Sequence, residues 1–312
     1  MDFASESRNL YTNLNNDELY MIAIRLDLPD LINFNVLNRQ TEKLCLTDRI
    51  WNYKLQNDFS EYIDDFRCAS KRDQYKLLYK LKKLNIELKL NKNLKELYNS
   101  KELFIMSTNM NIIPGEIKHL QNLQKLYLDE NEIGTIPGEL GQLQNLQSIY
   151  LSYNQIRTIP AELAKLQNLH TLCLNNNKIK HIPIEIGQLQ NLKCLILSYN
   201  EIRTVPKEIG QLKNLQQIFL AANEINELPK EIGQLQNLQQ IYLNKNKINE
   251  LPKEIGQLEN LEQIYLSENK INELPKEMEN LQKLIYISIK GNPIKQFPQN
   301  IIDKLPNLYV RI

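Results

Sequence analysis

Two hydrophobic rhythms divide the chain. After about residue 100, apolar and other side chains alternate over short runs such as Leu126-Tyr127-Leu128, and the run returns every 23 residues. Alternation sends neighbouring side chains to opposite faces of an extended segment. Each run therefore predicts a short strand, its leucines on one face and Tyr127 on the other. Before residue 100 nothing repeats. Leu19, Ile22 and Leu26 stand at helical spacing, Asp27-Leu28-Pro29-Asp30 breaks that helix, and a second apolar run starts near Leu31. A third ends in Ile50-Trp51-Asn52-Tyr53-Lys54-Leu55, and Tyr75 through Leu84 reads as an amphipathic helix with a basic face. Its lysines belong in water and its apolar side against the first repeat.

The repeat dictates its own architecture. Asparagines recur at Asn131, Asn154, Asn177, Asn200, Asn223, Asn246, Asn269 and Asn292, and prolines keep the same 23-residue step from Pro114 to Pro298. The unit from Leu123 to Asn145 reads L-x-x-L-x-L-x-x-N-x-I-x-x-I-P-x-E-L-G-x-L-x-N. One such strand cannot bury its apolar face alone, but stacking copies at roughly 4.8 Å builds a parallel sheet over a continuous core. The asparagine amides suit a ladder onto backbone groups of the neighbouring turn. Each proline suits the start of a tight or helical turn on the other face. The ends are degenerate. Thr108 holds the first ladder position, Leu88-x-Leu90-x-x-Asn93 reads as a shortened first unit, and Leu308, Val310 and Ile312 as a closing edge.

These registered residues match the leucine-rich-repeat pattern, and the 23-residue length resembles the intracellular, Ras-interacting-type subclass. The resemblance implies an α/β solenoid, with a curved parallel sheet on the concave face and short helical, 3-10 or turn segments on the convex one. It also implies a protein-binding scaffold, small GTPases being one class of partner. The segment from about residue 12 to 56 resembles an F-box, with a Leu-x-x-x-Glu-Leu opening, Leu-Asp then Asp-Leu between helices, and a closing Ile-Trp. Asn15 stands where the family has proline and Thr41 where a second tryptophan is frequent. The F-box resemblance implies docking on a Skp-type adaptor of a cullin–RING ubiquitin ligase, with Leu14, Leu19, Ile22, Leu26, Leu31 and Trp51 at or under the contact. The bland alternative is three amphipathic helices capping the solenoid. The helical, Tyr- and Lys-rich part also resembles F-box and repeat proteins of giant DNA viruses of amoebae. The expected organisation is an all-α F-box-like domain over 1–60, a linker helix and cap over 61–100, and about nine repeats over 101–312.

Composition narrows the partner. In 312 residues, 38 Lys and Arg stand against 37 Asp and Glu, for a formal net charge of +1. Near-neutrality gives no long-range pull on phosphate backbones, so nucleic acid is not expected. No apolar run approaches the roughly 18–20 residues of a membrane span, and Met1 to Arg8 does not read as a signal peptide. Four scattered cysteines and no Asn-x-Ser/Thr acceptor favour a reducing compartment, hence the cytoplasm, or the host's if the chain is viral.

The candidate protein-binding face follows from the alternation. The outward position between the core leucines reads Phe104, Tyr127, Tyr150, Cys173, Ile196, Phe219, Tyr242, Tyr265 and Ser288, while Tyr153 and Tyr199 lie two residues past a core pair. Exposed aromatics on a rigid surface are what protein interfaces use. Cross-strand support among neighbouring rings is the competing reading. A turn column begins with Arg157 and Arg203 and a neighbouring one ends with Glu227, Glu250 and Glu273, the mixed charge of a solvated edge. No Gly-rich phosphate loop, metalloprotease helix or nucleophile elbow is present, so neither an enzyme nor a cofactor is expected. Cys173 and Cys194 fall on adjacent strands two positions out of register, roughly 8 Å apart and beyond easy disulfide reach.

Overall fold

The computed structural model describes residues 14–294 and 296–312; the segment Met1 to Arg8 lies outside the described residues. The chain forms two compact units, Met1–Asn99 and Ser100–Ile312.

The first unit is all helical: α1 (Asn16–Ala23), α2 (Leu28–Asn35), α3 (Arg39–Leu46), α4 (Asp48–Asp58), α5 (Lys71–Glu87) and α6 (Leu94–Asn99). Local chemistry sets the boundaries. The Asn15 side chain accepts from Asp17 N and Glu18 N while Glu18 accepts from Asn15 N, so Asn15 caps α1. Asp27 caps α2 and Pro29 sits in its first turn, so Asp27-Leu28-Pro29-Asp30 starts a helix as well as ending one. The third predicted stretch is two helices, because Thr47 is extended (φ −81°, ψ 143°) and stops α3 before α4 begins. In α5, Tyr75, Leu78, Leu81 and Leu84 are buried at helical spacing. The Tyr75 ring packs on Trp51 (centroids 5.7 Å apart) and Phe59 (5.4 Å) within this unit.

A buried amine ties this unit together. Lys54 donates to the carbonyls of Leu26 (2.6 Å) and Ile24 (3.5 Å) at the end of α1, and Asp58 lies 3.8 Å away. Burial holds the amine's pKa below its ordinary value, against the pull of Asp58 and Asp27. Asp58 in turn accepts from the Tyr75 hydroxyl at 2.5 Å.

The second unit is a ten-stranded parallel sheet in strict sequence order. Its strands are β1 (Glu102–Phe104), β2 (Lys125–Tyr127), β3 (Ser148–Tyr150), β4 (Thr171–Cys173), β5 (Cys194–Ile196), β6 (Gln217–Phe219), β7 (Gln240–Tyr242), β8 (Gln263–Tyr265), β9 (Tyr286–Ser288) and β10 (Tyr309–Arg311). Each pairs in register with its successor 23 residues on, as in Leu126↔Ile149. On the other side each repeat makes one 3-10 segment, such as Gly138–Gln142, entered from an extended proline like Pro137 (φ −72°, ψ 140°). The last repeat replaces it with the helix α7 (Gln299–Lys304). Leu123, Leu126, Leu128, Ile133, Leu140 and Leu143 are fully buried, and later repeats copy them. Each such side chain contributes on the order of 1.5–3 kcal/mol.

The asparagine ladder closes the polar account. Asn154 donates to Leu128 O (3.0 Å) of the preceding repeat and Leu151 O (3.2 Å) of its own, and accepts from Ile133 N (3.0 Å). Thr108 takes its place at the front, giving both its backbone N and hydroxyl to Asn131 Oδ1. A second ladder runs beside it: Asn145, Asn168, Asn191, Asn214, Asn237 and Asn260 each donate to a carbonyl of the preceding repeat, as Asn214 does to Gln190 O at 2.8 Å. Its signal was the 23-residue recurrence of these asparagines.

One expectation fails. The run Leu88-x-Leu90-x-x-Asn93 is not a first repeat: Leu88 caps α5, Lys89 and Asn91 take left-handed φ (52° and 49°), and Asn93 accepts from Lys95 N to start α6. Local helix capping uses the asparagine that a ladder would need. The terminal alternating run does pair, Val310 lying opposite Ile287 in β10.

Candidate protein-binding site

The strand face presents the outward column as two aromatic stacks. Phe104, Tyr127 and Tyr150 lie nearly parallel with centroids 4.4 and 4.8 Å apart, and Phe219, Tyr242 and Tyr265 with 4.4 and 4.2 Å. Ring spacings at or below the roughly 4.8 Å strand repeat mean that the side-chain tips draw together, as they must on the concave side of a curved sheet. Between the stacks stand Cys173, which is buried, and Ile196, which is half-buried. Phe104 is 58 % exposed, whereas Tyr127, Tyr150, Phe219, Tyr242 and Tyr265 are half-buried with their rings packed on one another.

The ladder then changes column. Tyr265 meets Tyr286 at 4.9 Å and Tyr286 meets Tyr309 at 5.8 Å. Both added rings occupy the first strand position, while Ser288 and Arg311 take the third. A single register position carries aromatics only as far as Tyr265, so the recurrence alone does not show the continuation. Burial, and a hydrogen bond with Tyr242 after it, push the Tyr265 phenol up to about 12, so it stays neutral at physiological pH.

Tyr153 and Tyr199 sit just past β3 and β5 with left-handed φ of 55° and 57°, both more than half exposed. Non-glycine residues take this conformation seldom, and here it recurs because the backbone N of each bonds the next repeat, as Tyr199 N does to Ala221 O at 2.8 Å. The charged columns read from sequence belong to the turn beyond the asparagine ladder. There Arg203 pairs with Glu224 at 3.2 Å, and Lys247 with the same carboxylate at 3.5 Å.

In the helical unit, Leu19, Leu31 and Trp51 are buried, and Leu14, Ile22 and Leu26 half-buried. The buried three can only support a surface from beneath, while the half-buried three contribute part of their side chains to it. The exposed apolar side chains of α1–α4 and their connections are Met21, Ile32, Val36, Leu46 and Tyr53, with Val36 71 % and Leu46 63 % exposed. No motif marks them, since an exposed apolar position is defined by what fails to pack on it.

The thiols are chemically quiet. Cys173 and Cys194 are free, as are Cys45 and Cys68. Burial pushes Cys194 up to about 11 and Cys45 to about 11, and moves Cys173 and Cys68 upward too. Cys173 Sγ lies 3.1 Å from the Ser152 hydroxyl. Among the described residues no group of three or more His, Cys, Asp or Glu is gathered as a metal site. Because the thiolate reacts, alkylation of Cys194 by iodoacetamide at pH 7.5 is expected to run roughly 100-fold below a free thiol. Mass spectrometry of the folded chain checks this, and labelling at the free-thiol rate would refute it.

Comparison with known proteins places this geometry. The leucine-rich repeat region family matches residues 138–221 and 218–309, and a second leucine rich repeat family matches 101–156. A search of curated proteins returns no match. Among solved structures, an internalin (inlF) from Listeria monocytogenes is 22% identical with a TM-score of 0.57, over 65% of this chain and 58% of that one. PEPR1-AtPEP1 is 26% identical with a TM-score of 0.57, over 68% of this chain and 34% of that one. The functional domain of InlJ from Listeria monocytogenes is 20% identical with a TM-score of 0.52, over 69% and 49%. The two Listeria likenesses are of fold alone. The chain thus spans about three fifths of the first of these structures and a third of PEPR1. With repeat matches running from residue 101 to 309, the chain belongs to the leucine-rich-repeat family.

Proposed function

We propose that this chain is a non-catalytic adaptor working in the cytoplasm. Its strand face holds a target protein, and its helical unit docks on the Skp-type adaptor of a cullin–RING ubiquitin ligase. The observation that carries the first half is the pair of aromatic stacks on a continuous in-register sheet, since aromatic side chains already packed on one another bind at little entropic cost. A neighbour of the same fold has been solved as PEPR1-AtPEP1, in keeping with a partner held by repeats. The second half rests on the F-box-like spacing together with the exposed Val36 and Leu46 on the short helical unit.

Two measurements test the two halves separately. Co-purification with a Skp-type adaptor should fall at least tenfold in Val36→Glu/Leu46→Glu, with an unchanged thermal melt because both positions are exposed. Retention that ignores these changes, or no retention by the unmodified chain, defeats the ligase link and leaves a repeat scaffold of the kind that binds small GTPases. On the strand face, truncating Tyr242 and Tyr265 to alanine should weaken target binding about 30-fold, the effect of losing roughly 2 kcal/mol of interface anchor. Stacking alone predicts the reverse pattern, a loss of stability with binding intact.

A further inference from the structure

The far end of the strand face is built differently from the rest. Where the aromatic ladder shifts column at β9, Ser288 replaces a ring in the third position with Arg311 beyond it, and a concavity of about 590 Å³ opens. Tyr242, Tyr265 and Tyr286 wall it on one side. Its floor carries hydroxyls, Ser267 Oγ and Ser288 Oγ lying 2.8 Å apart. Lys290 and Arg311 stand at its rim against a single lining carboxylate, Glu268, and Lys245 is exposed one repeat before Glu268. Lys245, Lys290 and Arg311 make no ion pair among the described residues.

The first stack carries the opposite sign. Lys125 beside it is neutralised by Glu102 at 2.8 Å, while Asp129 and Glu130 follow β2. Asp129 already accepts from Ser152 N and Glu130 from the Ser107 hydroxyl, so these carboxylates are held in place. The strand face is therefore polarised, acidic beside Tyr127 and basic beside Tyr286, although the chain as a whole is close to neutral. Unpaired cations over a desolvating aromatic wall favour a carboxylate-bearing ligand and disfavour a cationic one.

We propose that this concavity is the recognition site for an acidic, extended peptide segment of the partner, with an aromatic or apolar side chain against Tyr265 and Tyr286 and its carboxylates on Lys290 and Arg311. This deepens the strand-face reading and rests on it. An extended segment suits the site because the open floor is about two to three strands wide, roughly 10–14 Å, the reach of three or four extended residues.

The test uses the full chain and two fluorescein-labelled decapeptides, each with three phenylalanines, one filled out with glutamate and the other with lysine. Fluorescence anisotropy should show the glutamate peptide binding at least tenfold tighter, with that advantage shrinking as salt is raised from 50 to 500 mM. Lys290→Glu/Arg311→Glu should abolish the preference, while Lys253→Glu, exposed in the 3-10 segment Lys253–Gln257, leaves it within twofold. Both cations are exposed, so an unchanged melt confirms folding. Equal binding of the two peptides, a preference for lysine, or no binding of the glutamate peptide overturns the proposal. So does a charge-reversed chain that binds as before. If that chain still binds but Tyr242→Ala/Tyr265→Ala does not, the strand-face reading survives and only the charge assignment falls. If neither variant matters, the strand-face reading fails with it.

Discussion

Asn200→Ala should lower the unfolding free energy of the repeat unit by about 3–5 kcal/mol, the cost of leaving two or three buried polar groups without partners. Asn200 is only 9% exposed. Its amide donates to Leu174 O (3.0 Å) and Leu197 O (3.0 Å) and its oxygen accepts from Ile179 N (3.0 Å), so one side chain satisfies groups in two repeats. Alanine cannot reach any of them. Asparagines of the exposed turn column, such as Asn226, bond nothing equivalent, so Asn226→Ala should stay within about 0.5 kcal/mol. Urea denaturation compares the two. Because a solenoid's stability is a sum of units and nearest-neighbour interfaces, hydrogen exchange should also rise first at Ile179 and its neighbours rather than evenly. Equal stability of Asn200→Ala and Asn226→Ala would show the ladder to be decoration.

That ladder was legible in the sequence because its physics is one-dimensional. A side chain bound to a site 26 residues back, as Asn200 is to Leu174, repeats whenever the unit repeats. The core leucines were legible for the same reason, since alternation fixes the face of each residue before any tertiary contact is known. What escaped depends on neighbours that no period encodes. Tyr286 and Tyr309 continue the aromatic ladder only because β9 and β10 bring first-position rings beside Tyr265. Leu88 and Leu90 matched a repeat by spacing, but the capping of α5 and α6 claimed the segment first. Leu19, Leu31 and Trp51 carried the F-box spacing, and the structure buries all three. Helical spacing of apolar residues in a small helical unit reports its core, whereas a docking surface is built from what the core leaves outside.

The same distinction governs the helical unit's most consequential side chain. Lys54→Met should destabilise that unit by about 2–4 kcal/mol, because it takes the donor from two part-buried carbonyls and leaves them without a partner. Methionine keeps most of the aliphatic stem, so lost packing is a minor part. What goes is the amine that caps Leu26 O and Ile24 O at the end of α1 and sits 3.8 Å from Asp58. Adding Asp58→Asn should recover less than half of the loss. The Asp58 side chain is 40% exposed and keeps the Tyr75 hydroxyl, so the uncapped carbonyls dominate. Thermal melts of the single and double variants measure this, and a Lys54→Met chain as stable as its parent would remove the amine from the account of the fold. The variant also calibrates the adaptor experiment. Trp51 shares α4 with Lys54 and gives its indole N–H to Cys45 O at 2.7 Å. Loss of adaptor retention in Trp51→Ala therefore counts as recognition only if Lys54→Met, matched for stability, still retains the adaptor below its melting temperature.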